Sequence, residues 1–206
     1  MIYFSKKEID EMDKIYRLNL INSCTGYKSS NLIGTKSKNG INNLAIFSSV
    51  IHLGSNPAIL GFAMRPATAT RDTYKNIKFN KEFTVNHIHF SQIEDAHHTS
   101  AKYSSEISEF DKTNLIKEYK KGIQSPFVKN SPVQLGCKYL NEYNIKENGT
   151  LLIIASIDHI YINNEMLMSD GMIQLDKGGV TAINGLDAYT LPKFLNRFSY
   201  SRPKNN

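Results

Sequence analysis

The segment Arg65-Pro66-Ala67-Thr68-Ala69-Thr70-Arg71-Asp72-Thr73 places two guanidinium groups and three threonine hydroxyls within nine residues. Arginine presents a planar fork that matches phosphate oxygens, and such charge-assisted bonds are stronger than neutral ones. Threonine hydroxyls add donors. The run leads into a helical segment, Tyr74-Lys75-Asn76-Ile77, whose free N–H groups point toward the same place. This combination suits an anion, above all a phosphate. The competing reading is a solvated loop in which Thr70 or Asp72 caps the helix. Capping alone does not call for two arginines around three threonines.

The elements that must position this turn are strands. Residues 44–51 (LAIFSSVI), 58–64 (AILGFAM) and 82–88 (EFTVNHI) are short, rich in β-branched or aromatic residues, and bounded by Asn, Gly or Pro. Residues 31–35 read as a further strand. Asn39-Gly40 is a hairpin turn that should pair 31–36 with 43–51, and Asn148-Gly149 should join a strand from Val133 to the long apolar run 150–162. At the start, Ser5 and Glu8 form a capping box. Ile9, Met12, Ile15 and Tyr16 follow at helical spacing, which predicts an amphipathic helix resting on the core.

With 206 residues, 40% hydrophobic and 21% charged, the chain can bury one sizeable core and is expected to form a single domain over 1–206. The net charge of +6 is scattered, without the basic stripe of a nucleic-acid binder. No apolar run approaches the roughly 18 residues of a spanning helix. Cys24 and Cys137 are far apart and make no metal motif, and with no cleavable leader at Met1 a reduced, cytoplasmic setting is expected.

Taken together, these pieces resemble the flavin reductase-like family, whose members have the FMN-binding split barrel. The matching order is Asn42-Asn43-Leu44-Ala45 with Ser48-Ser49, then Ser55-Asn56-Pro57 before an apolar strand, then Arg65-Pro66, "RDTYKNI", and a strand ending Val85-Asn86. The closing pieces "GLDAY" and "RFSYSRP" continue the pattern, so the likeness covers roughly residues 20 to 200. It implies a mainly β fold with helices, a Greek-key-like split β-barrel over 20–200 with a helical insertion at 103–115 and an N-terminal helix at 1–19.

For the site, the resemblance implies FMN as cofactor. Arg65, Thr68, Thr70, Arg71 and Thr73 would hold its phosphate. Asn43, Ser48, Ser49 and Val50 would lie along the ring, with Asn86 as a ring or backbone-positioning residue. Fixed donors suit a flavin, because its polar edge gains negative charge on reduction. Without that context, Ser48-Ser49 would read as an ordinary exposed strand face. The implied activity passes reducing equivalents from NADH or NADPH through FMN to an acceptor, in a homodimer, with no catalytic side chain. A non-catalytic flavin- or heme-related binding protein and a pyridoxamine-phosphate-oxidase-like enzyme share the barrel and stay open.

Several residues keep two readings. His52 either faces the flavin or ends its strand. His87, His89, His97 and His98 are close in sequence but poorly spaced as ligands, so no metal is expected. His98-Thr99-Ser100 should start a helix over 101–106. Tyr189 and Tyr200 either stack near the flavin or pack in the core, and Cys137 reads as a small buried hydrophobe.

Overall fold

The computed structural model describes residues 1–65 and 71–203. Helices α1 (Lys6–Glu11) and α2 (Lys14–Cys24) are followed by strands β1 (Lys28–Ser29), β2 (Asn31–Lys36), β3 (Asn42–Phe47), β4 (Ile51–Ser55) and β5 (Ala58–Met64). Next come α3 (Asp72–Asn80), β6 (Glu82–His87), α4 (Ile93–His98), β7 (Lys117–Glu118) and β8 (Phe127–Val128). Strands β9 (Val133–Ile145), β10 (Thr150–Ile162), β11 (Ala182–Asn184) and β12 (Ala188–Thr190) complete the chain.

The main sheet is antiparallel in the order β3-β2-β6-β9-β10-β5-β4. Its outer strands, β3 and β4, are consecutive in the chain and joined by Ser48, Ser49 and Val50 alone. A flat sheet of seven strands would hold its edges roughly 29 Å apart. Four Cα–Cα steps, from Phe47 to Ile51, reach at most about 14 Å. The sheet therefore curls until its edges approach, which makes a barrel with a seam at 48–50.

Inside the barrel lie Ile33, Leu60, Phe62, Met64, Phe83, Val85, Cys137 and Ile153, all buried, with Ile77 of α3 closing one end. Phe62 packs edge-on against both Phe47 and Phe83, with centroids 5.2 and 5.5 Å away. On the outer face of β2 and β3, Leu32 and Leu44 are covered by Ala96 of α4 and by Phe110 and Leu115. Gly34 meets a close crossing there: a Cβ would lie 2.2 Å from the Pro126 carbonyl oxygen.

Both Asn-Gly turns join the expected pairs, β2 with β3 and β9 with β10. Four expectations need correction. The strand drawn over 44–51 is two strands on opposite edges of the sheet, because the chain turns the corner at 48–50. The single N-terminal helix is two, since Asp13 caps a second one through the Ile15 and Tyr16 N–H groups, and neither helix buries a residue in its own chain. The helix expected at 101–106 lies at 93–98 instead, where Glu94 and Asp95 occupy its first turn and His97 and His98 its last, each suited to the helix dipole. The insertion 103–115 is irregular apart from a short 3-10 turn at Glu109–Asp111.

Candidate functional site

Of the expected site residues, Asn43 lies on β3, Ser48, Ser49 and Val50 follow it, and Arg71 and Thr73 stand at the start of α3. At the first end of β3, Asn43 Nδ2 donates to Thr73 Oγ1 at 3.0 Å, which ties β3 to the first turn of α3. Arg71 immediately precedes α3 in extended conformation, without a side-chain cap bond, and Arg65 follows β5. Both are exposed, and neither makes an ion pair among the described residues. Thr68 and Thr70 lie outside the described residues. The structure thus gathers Asn43, Thr73 and Arg71 at the start of a nine-residue helix, with Asp72 in its first turn.

A second carboxylate lies close by. Glu109, 8% exposed, accepts the Leu44 N–H at 2.8 Å and so occupies part of the open edge of β3. Burial pushes its carboxyl up, against the lowering effect of the Leu44 bond, and the charge of Asp72 adds to the rise. No sequence signal pointed to Glu109, because its partner is 65 residues away.

At the other end, the corner residues divide their work. Ser49 Oγ donates to the Ala63 carbonyl at 2.9 Å and accepts the Ala63 N–H at 3.1 Å. β4 pairs with β5 only as far as Gly61, so this hydroxyl serves the backbone of β5 where β4 has stopped. Its hydrogen-bonding capacity is used in closing the seam. The Val50 carbonyl accepts from Ser29 Oγ at 2.9 Å, and Ser29 Oγ accepts from Asn31 Nδ2 at 2.9 Å. Ser48 makes no such side-chain bond among the described residues.

Asn86 is fully buried and fully engaged. Its amide donates to the Leu32 carbonyl at 3.1 Å and to Thr84 Oγ1 at 3.0 Å, while its oxygen accepts the Val128 N–H at 3.0 Å. It has no hydrogen left for a ligand. Of its two expected roles, this geometry serves backbone positioning.

The remaining candidates separate. His52 is exposed on β4. His97 Nδ1 lies 3.0 Å from Tyr189 Oη, and His98 Nε2 lies 2.6 Å from Tyr103 Oη, so the two neighbours serve different tyrosines. Burial, with a contribution from Asp187, pushes the Tyr189 phenol up to about 12. Tyr200 is 92% exposed. His87 ends β6, where burial pushes its imidazole down to about 4 and keeps it neutral. A cavity of about 530 Å³ lies apart from the expected residues, between His89, Gln92, Lys129, Glu165 and Lys177. Asn43 and Asp72 border a space of only about 30 Å³.

The profile of the flavin reductase like domain matches residues 28–175 of the chain. A protein of Aquifex aeolicus with no assigned function is 32% identical over 108 residues, 52% of this chain and 55% of that protein. The chain thus spans about half the length of that curated relative. A crystal structure from Shewanella frigidimarina, a split-barrel protein with a provisional flavin reductase assignment, is 39% identical. It covers 98% of this chain and 100% of its own, with a TM-score of 0.94. Nitrilotriacetate monooxygenase component B of Bacillus cereus, 17% identical, shares the fold at a TM-score of 0.83 over 96% of this chain and 98% of its own.

Proposed function

Because the chain belongs to the flavin reductase-like family, we propose that it binds FMN along β3 and passes reducing equivalents from NADH or NADPH through it to an acceptor. The observation that carries this reading is the Asn43–Thr73 bond of 3.0 Å, which fixes β3 against the start of α3 beside Arg71. Arg65, Arg71 and Thr73, with Thr68 and Thr70 between them, supply donors for a phosphate dianion. The Ser48 hydroxyl and the backbone N–H groups of the corner supply donors for the polar edge of the ring. Asn43 braces the phosphate end. The donor set thus fits both halves of FMN.

The cofactor, when bound, supplies the hydride chemistry itself. The chain's residues bind, orient and stabilise charge, and none is required as an acid or base. A homodimer belongs to the same reading, since the corner and the start of α3 need a second wall. A reduced, cytoplasmic setting also fits the two free thiols, Cys24 and Cys137.

Purified protein reconstituted with FMN tests the reading. FMN absorbance that stays with the protein through gel filtration, and bleaches without oxygen on addition of NADH or NADPH, is the expected result. Failure to retain FMN, or retention without bleaching by either nucleotide, refutes it.

A further inference from the structure

The corner at 48–50 is held from two sides. Ser49 fixes it to β5, beside which the corner itself runs. On the other side the holder is Ser29 of β1, whose hydroxyl donates to the Val50 carbonyl at 2.9 Å from 21 positions away.

A second residue sets the direction of that bond. A serine hydroxyl has one hydrogen. Asn31 Nδ2 donates to Ser29 Oγ at 2.9 Å, so the Ser29 hydrogen is left to be given to Val50. The chain of bonds runs from amide to hydroxyl to carbonyl. Ser29 is itself fixed from behind: its backbone pairs with Ala182 of β11, and the neighbouring Ser30, 1% exposed, donates to the Thr181 carbonyl at 2.8 Å.

Asn31 is fully buried at the start of β2, beside Phe47 at the end of β3 and His87 at the end of β6. Its Oδ1 has no hydrogen-bond partner among the described residues. A buried acceptor left unpaired lowers stability, and an apolar side chain of the same size would avoid that loss. Alternation along β2 puts Asn31 on the face of Ile33, which packs in the barrel interior, where an apolar side chain would suit the surroundings better. Stability therefore does not account for the amide. Its bond to Ser29 does.

We propose that Ser29 and Asn31 are positioning residues for the flavin ring, acting through the corner they hold. This rests on the reading in which Ser48 and the corner N–H groups face the polar edge of the ring. A peptide unit is planar, so pinning the Val50 carbonyl toward β1 also fixes the N–H on the far side of that plane. With residues 49 and 50 both anchored, Ser48 is presented in one orientation. Donors fixed before charge develops stabilise it without reorganisation. Neither Ser29 nor Asn31 is given a contact with the ring itself.

Ser29→Ala, Ser29→Thr and Asn31→Leu, each as apoprotein and reconstituted with FMN or riboflavin, provide the test. Ser29 is exposed, so Ser29→Ala should leave the urea midpoint of the apoprotein close to native. It should nonetheless weaken FMN and riboflavin alike, about three- to tenfold, the worth of one hydrogen bond, because the ring end and not the phosphate end is disturbed. The midpoint potential of the bound flavin should move negative, by about 30 mV where the reduced form loses tenfold more affinity than the oxidised one. Ser29→Thr keeps the hydroxyl and should restore both quantities. Asn31→Leu should repeat the flavin effects with no fall in the urea midpoint. Native affinities and potential in Ser29→Ala overturn the inference and leave the flavin reading standing. So does a loss confined to FMN, a loss that Ser29→Thr does not restore, or an Asn31→Leu apoprotein that unfolds earlier with its flavin properties unchanged. Native protein that retains neither flavin overturns both readings together.

Discussion

Ser49→Ala separates seam closure from cofactor contact. In the native chain one hydroxyl gives and takes a hydrogen bond with Ala63, at 2.9 and 3.1 Å, on the side of β5 where β4 has stopped. Alanine removes both bonds and leaves the Ala63 N–H and carbonyl facing a half-buried seam. A typical intramolecular hydrogen bond contributes about 0.5–1.5 kcal/mol net. Losing two should therefore cost about 2 kcal/mol. For a chain of this size that corresponds to a fall in Tm of about 4–8 °C. The assay is thermal and urea unfolding of the apoprotein at one fixed protein concentration, since association would otherwise shift the midpoint. The urea midpoint should fall with an unchanged slope. Ser48→Ala is the comparison: its hydroxyl has no partner among the described residues, so apoprotein stability should move by no more than about 0.5 kcal/mol. Its FMN affinity should drop. If Ser49→Ala unfolds like the native apoprotein, or if Ser48→Ala costs as much, the division of labour drawn for the corner is mistaken.

Two further outcomes follow from the site. Arg71→Ala should weaken FMN binding about tenfold to a hundredfold, the worth of one charge-assisted bond to phosphate, and leave riboflavin binding unchanged; equal losses for both flavins in a titration of the apoprotein would remove Arg71 from the phosphate site. His87, held neutral with its pKa lowered to about 4, binds a proton in the unfolded chain from about pH 6.5 downward but not in the folded one. Stability should therefore fall as the pH drops between those two values, and His87→Val should show a shallower acid slope in urea unfolding; an identical slope would show that burial does not hold His87 neutral.

Much of the barrel is legible in the chain because its signals are local. Asn39-Gly40 and Asn148-Gly149 specify tight turns by backbone conformation, and the apolar runs they join are strands in the structure. The corner at 48–50 is not legible in that way. Ser48, Ser49 and Val50 continue an apolar run without any breaker, and the evidence that the chain changes edges is a bond from Ser49 to a residue 14 positions on. Glu109 was hidden for the same reason. Asn86 stands out as a polar residue ending an apolar strand, but two of its three partners, Leu32 and Val128, lie on other strands, and only they show that its amide is spent within the chain. The N-terminal pattern of Ile9, Met12, Ile15 and Tyr16 predicts one helix resting on the core, whereas Asp13 splits it in two and Ile15 and Tyr16 stay exposed. Periodicity reports helical spacing and does not report burial.

The three-residue corner also works as a ruler. Each residue in it adds about 3.4 Å of reach, so the width of the seam is metered by the number of residues between β3 and β4 more than by their kind. Substituting within 48–50 changes what the seam displays. Inserting there would change how far the barrel opens.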